Sequence, residues 1–146
     1  MTLPAELYSV AQVRTFDARA IASQGVAGYT LMQRAGEAAL RLLRSAWPEA
    51  RRIAIACGGG NNGGDGYELA RLLRSVGIEA QVHALVAPGK LGGDALRAHA
   101  DFIAAGGALQ PAPLPDPARC ELIVDALLGT GFKGALRPPF DAAVAA

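Results

Sequence analysis

Strand-like and helix-like segments alternate from residue 52 onward, which predicts an α/β domain with a mainly parallel, doubly wound sheet. Three observations support this. The apolar runs 52–57, 79–86 and 122–128 are short enough for buried or half-buried strands. The stretches between the strands carry apolar residues at helical spacing. A Gly-rich segment directly follows the first run, and a strand, Gly-rich turn and helix in succession make a ligand site.

Two helices precede the first strand. Ser9 and Gln12 form a capping-box pattern, followed by Val10, Val13, Phe16, Asp17 and Ile21 at spacing suited to a helix over 10–22. Gly25 and Gly28 break it. Leu31, Met32, Ala35, Ala39, Leu42 and Leu43 share one face of a second helix over 29–46, and Gly36 beside Ala35 signals close packing. Trp47-Pro48 ends that helix, because the residue before proline is pushed out of the α region. Leu69, Leu72, Leu73 and Val76 predict a helix over 65–76, stopped at Gly77. Asp94 is a candidate cap for a helix running through Leu96, Phe102 and Ile103 to near Gly106. Pro111, Pro113, Pro115 and Pro117 read as an extended connector. The last strand leads into the turn 129–134. Ala146 falls in what reads as the opening of another helix after Pro138-Pro139, so the expectation is one domain over 1–146, incomplete at its C-terminal end.

The totals narrow the function. With 146 residues, 51% apolar residues and a net charge of +1, the chain has enough apolar content for one core and no basic stripe for nucleic acid. No apolar run approaches the roughly 20 residues that span a bilayer, and the first ten residues lack a secretory pattern. Two cysteines, Cys57 and Cys120, fit a reducing, cytoplasmic setting.

The chemistry concentrates in Cys57-Gly58-Gly59-Gly60-Asn61-Asn62-Gly63-Gly64-Asp65-Gly66. Gly58, Gly60 and Gly63 formally match G-x-G-x-x-G, but the acid expected at the end of the second strand is absent from Leu85-Val86-Ala87-Pro88. That disfavours a hydride-transferring dinucleotide enzyme. No Gly-Lys-Ser/Thr closes the turn, so a Walker loop fails as well. Asp65 competes with anions for the helix N-terminus, so the loop suits hydroxyls, amides or a cation better than a bare triphosphate. Asp125 interrupts an apolar run expected to be buried on both faces; it either caps the following turn or faces the ligand crevice as an acid–base or cation-holding group. Gly129-Thr130-Gly131-Phe132-Lys133-Gly134 is a second Gly-rich loop at the same sheet edge, with Lys133 either solvated or directed to a phosphate. His83 and His99 read as structural or exposed rather than catalytic, and no His or Cys pair has metal spacing.

Asn61-Asn62-Gly63-Gly64-Asp65-Gly66 together with Val124-Asp125-Ala126-Leu127-Leu128-Gly129-Thr130-Gly131 resembles the YjeF N-terminal domain family, the NAD(P)HX epimerases, and Leu31-Met32-x-x-Ala35-Gly36 is similar to that family's N-terminal region. The resemblance implies a Rossmann-like three-layer αβα sandwich. It also implies epimerisation at C6 of hydrated NADH or NADPH, which feeds a stereospecific dehydratase, in bacteria often on the same chain. It places Asn61, Asn62, Gly63, Gly64, Asp65 and Gly129, Thr130, Gly131, Phe132, Lys133, Gly134, Ala135 at the substrate. It gives Asn62 and Asp125 to a potassium ion, and implies a homo-oligomer. The family's further Asp-x-Pro-Ser-Gly segment is absent. Asp125 is the expected acid–base group. The alternatives are a non-catalytic scaffold module of this fold or another nucleotide-binding enzyme.

Overall fold

A computed structural model describes residues 6–110 and 116–145. Most of the predicted proline connector, 111–115, lies outside the described residues. In order, the elements are α1 (Val10–Gln24), α2 (Gly28–Ala46), β1 (Ile53–Cys57), α3 (Asn61–Ser75), β2 (Ala80–Ala84), α4 (Gly93–Ala104), β3 (Leu109–Gln110), β4 (Leu122–Ala126) and α5 (Phe140–Ala145). Single 3₁₀ turns lie at Pro88–Lys90 and Pro117–Arg119.

The strands form one parallel sheet in the order β3-β2-β1-β4, as the alternation predicts. β1 is central, and all five of its residues are buried. Ile53, Ile55 and Cys57 pair in register with Ala80, Val82 and Ala84 on one side and with Leu122, Val124 and Ala126 on the other, so these positions share one sheet face. α3 lies across that face with α2 and α4 beside it, and the core fills from Met32 and Leu43 of α2, Leu69, Ala70 and Leu73 of α3, and Ala98 and Phe102 of α4. Each fully buried side chain of Leu73, Ile55 or Val82 contributes about 1.5–3 kcal/mol. At the end of the sheet where β1 and β4 begin, Glu121 accepts from the backbone N–H groups of Arg51 (2.7 Å) and Arg52 (2.9 Å) and pairs with the Arg52 guanidinium (3.1 Å). Those backbone donors hold its carboxyl below the usual range.

Several expectations hold in detail. Ser9 and Gln12 form the capping box, with the Ser9 N–H donating to Gln12 Oε1 at 2.8 Å, and Gly25 ends α1 in the left-handed region at φ 64°. α2 ends at Trp47. β3, which pairs with β2 through Val82↔Leu109, was not legible because two residues give no periodicity.

Three expectations need correction. The Gly-rich segment is a turn only through Gly60, and α3 begins at Asn61 rather than at residue 65. None of its glycines has positive φ. Gly63, Gly64 and Gly66 are helix positions where the backbone is pressed against neighbours. A Cβ on Gly63 would strike the Gly58 carbonyl, one on Gly64 would lie 2.5 Å from Met32 Cε, and one on Gly66 would lie 2.7 Å from Ala126 Cβ and 2.8 Å from Cys57 Sγ. That packing outweighs the roughly 1 kcal/mol glycine costs in a helix. Second, among the described residues the run at 122–128 is not buried on both faces. β4 lies at one end of their strand order, Ile123 is 44% exposed, and Asp125 is exposed. Third, Asp94 does not cap α4. Gly92 is the N-cap, and Asp94 sits in the first turn with its carboxylate against Gly28.

Candidate functional site

The strands are parallel, so β1, β2 and β4 all end at one edge, where a cavity of about 730 Å³ opens. Gly59, Gly60, Asn61, Asn62 and Asp65 form one wall, between the end of β1 and the start of α3. The opposite wall is the segment from Leu127 to Phe132 after β4. Val86, after β2, and Phe140 also contribute. A Cβ on Gly58 would overlap the Leu127 carbonyl oxygen, so glycine there lets the two loops meet. The Asn62 side-chain N–H donates to the Leu128 carbonyl at 3.1 Å and ties the walls together. α3 has no side-chain cap, so its first N–H groups open toward this space.

The third wall is α1, which contributes Val13, Arg14 and Asp17. The sequence pattern alone does not mark these residues as part of the site. Residues at i, i+1 and i+4 share a helix side, and Asp17 interrupting an apolar helical face was the available signal. The Arg14 guanidinium donates to the Thr130 carbonyl and holds α1 against the second loop. A second cavity of about 210 Å³ adjoins the first and shares Asp17, Asn61 and Asp65. Its remaining lining is mostly apolar, from Ile21, Leu31, Met32 and Ala35, with Asp94 at the margin.

Asp65 lies between the two cavities. Burial, and secondarily the Asp17 carboxylate, push its carboxyl from an ordinary 3.8 up to about 6. A half-buried carboxyl that titrates near neutrality inside a cavity is suited to proton transfer.

Not every predicted site residue meets the cavity. Asn61, Asn62, Asp65, Gly129, Thr130, Gly131 and Phe132 do. Gly63 and Gly64 are buried inside the start of α3 and shape the wall through packing. Lys133, Gly134 and Ala135 are exposed and do not line it. Asp125 sits at the end of β4 outside the lining, and its Oδ1 accepts the Leu127 N–H at 2.9 Å, the turn-capping geometry. Cys57 is fully buried, and burial pushes its thiol up to about 12, which makes it an inert filler. Burial lowers the His99 pKa.

Among the described residues no group of three His, Cys, Asp or Glu side chains could hold a metal ion. A cation held by oxygen is a different case. With its amide N–H spent on Leu128, Asn62 keeps its side-chain oxygen for a ligand, and Asp125 keeps its second carboxylate oxygen. Both are hard oxygen donors. No helix among the described residues is long and apolar enough to cross a membrane.

A cavity at the carboxyl ends of parallel strands, lined by Gly-rich loops and a titratable carboxyl, defines a small-molecule-binding α/β domain. The chain belongs to the family described as YjeF-related protein N-terminus, whose model matches residues 28–146. It is 42% identical over 140 residues to the bifunctional NAD(P)H-hydrate repair enzyme Nnr of Coxiella burnetii, covering 96% of this chain and 28% of that protein. It is 41% identical to the Escherichia coli protein of the same name, over 94% of this chain and 27% of the relative. An NAD(P)H-hydrate epimerase from Rhodobacter capsulatus is 38% identical, over 87% of this chain and 63% of that protein. The chain therefore spans less than two thirds of the length of these relatives. The crystal structure of the yeast protein ynu0 superposes with a TM-score of 0.80, covering 96% of this chain and 63% of the yeast chain at 21% identity, and supports the fold.

Proposed function

We propose that this chain carries the epimerase activity for hydrated NADH and NADPH, interconverting the two C6 epimers in the larger cavity. One observation supports this most: an acid held near neutrality, Asp65, faces a roomy cavity walled by both Gly-rich loops. The relatives' names point the same way. The C6 hydroxyl lies next to the ring nitrogen, so the centre is a carbinolamine. A protonated carboxyl donates its proton to that hydroxyl, the C6–O bond breaks, and the nitrogen lone pair closes a C=N bond as water leaves. Water then adds to either face of the planar iminium, and its surplus proton returns to the carboxylate. Atoms and charge balance without a redox step. Burial raises the Asp65 pKa to about 6, so its carboxyl holds a proton more readily than an ordinary aspartate and can both give it and regain it.

Two carboxylates compete for the proton. Asp65 has the better position, on the cavity wall. Asp125, favoured by the sequence, is assigned with Asn62 to a potassium ion, whose positive charge would help orient the substrate. Asn61 and the Gly129–Phe132 loop bind substrate in this reading. The partner in this reading is a dehydratase, fused or separate, and the setting is cytoplasmic. A homo-oligomer is also part of the reading. A scaffold module would have no use for a titrating acid in a cavity, which favours the enzyme. The test is the turnover of full-length Asp65→Asn and Asp125→Asn proteins on a single NADPHX epimer. A loss of about a hundredfold in Asp65→Asn supports the assignment, and the same loss in Asp125→Asn alone transfers the proton to Asp125.

A further inference from the structure

We propose that Arg14, on α1, is the residue of this site that binds the substrate's pyrophosphate. The inference rests on the dinucleotide reading above and adds a residue from an element which that reading does not use. The cavity is lined by two carboxylates, Asp17 and Asp65, and among the described lining residues Arg14 is the single cation. A dinucleotide brings a pyrophosphate whose negative charges those carboxylates repel. Lys133, the cation the sequence offered, is exposed and outside the lining.

Arg14 has the chemistry for the role. A guanidinium presents five N–H donors in a planar fork that matches phosphate oxygens two at a time. One group is engaged with the Thr130 carbonyl, which fixes the side chain where α1 meets the second Gly-rich loop. The other donors remain for a ligand. α1 carries no buried residue, so Arg14 is placed at the cavity by its contact with Thr130 rather than by core packing. The substrate's direction follows: pyrophosphate at Arg14 and Thr130, and the hydrated ring toward Asp65, away from the positive charge.

Titration of the full-length protein with ADP-ribose tests this, using wild type, Arg14→Gln and Arg14→Lys. Glutamine removes the charge, and a purely structural Arg14 would leave the salt dependence of ADP-ribose affinity the same in Arg14→Gln as in wild type. Phosphate binding predicts affinity about ten- to a hundredfold weaker in Arg14→Gln, intermediate in Arg14→Lys, and a wild-type affinity that falls with salt more steeply than the variant's. Circular dichroism checks that both variants are folded. Equal ADP-ribose affinity in wild type and Arg14→Gln overturns the proposal. A parallel titration with inorganic pyrophosphate separates the two readings. Pyrophosphate binding that depends on Arg14, with no binding of ADP-ribose or NADPH, keeps the phosphate site and removes the dinucleotide reading. Binding of none of the three by wild type removes both.

Discussion

Asp65 ties stability to chemistry at the scale of one residue. Its native pKa of about 6 exceeds the ordinary 3.8, so between those values the folded protein holds more protons than the unfolded chain. The contribution is most favourable below about pH 4, is lost as pH rises to about 6, and the cost is fully in place at pH 7. Replacing Asp65 with Asn removes that cost. Denaturant unfolding should show Asp65→Asn about 1–2 kcal/mol more stable than wild type at pH 7, and no more stable at pH 4; the figure is discounted from the full shift because the side chain is part-exposed. A gain in stability with a loss of turnover is what a residue kept for function predicts. Asp17 raises the Asp65 pKa through its charge. The pH at which epimerisation declines should therefore move lower in Asp17→Asn, while Asp17→Glu stays near wild type. Asp65 was legible as a carboxylate at a helix start. Its partner Asp17 was legible only as part of a helix, because spacing does not say what a helix will face.

At the scale of elements, α3 is fixed by contacts that its glycines and one ion pair allow. Glu68 is 1% exposed and receives two Arg71 donors, at 2.9 and 2.6 Å, beneath Gly36 of α2. Arg71→Ala leaves that carboxylate buried without its partner and should cost about 3 kcal/mol, read from the denaturation midpoint. At the other end of the helix, Gly66→Ala places a methyl against Ala126 and Cys57 and should cost about 1–3 kcal/mol in the same measurement. The periodicity of α2 and α3 was readable because Met32, Leu43, Leu69 and Leu73 recur at helical spacing and are buried. The start of α3 was not readable, since Gly63, Gly64 and Gly66 signal a turn unless the neighbouring backbone is known. The Ser9–Gln12 box was readable because a cap is a local interaction.

For the whole molecule, the alternation of strands and helices made the parallel sheet legible, while the position of each strand in it was not. An apolar run such as 122–128 reads the same at the centre or the edge, and the order β3-β2-β1-β4 of the described strands places β4 at one end, with Ile123 and Asp125 exposed. The site's location followed from topology, because parallel strands bring Asn61–Asp65 and Gly129–Phe132 to one edge. The contribution of α1 is a tertiary contact, visible only once Arg14 meets Thr130. The central claim is that this edge epimerises hydrated nicotinamide cofactor, and the direct measurement is a chromatographic time course of one pure NADPHX epimer with the full-length protein. The prediction is relaxation to the mixture of both epimers at a rate proportional to enzyme and strongly reduced in Asp65→Asn. Relaxation no faster than in buffer, with the protein folded, would contradict the account.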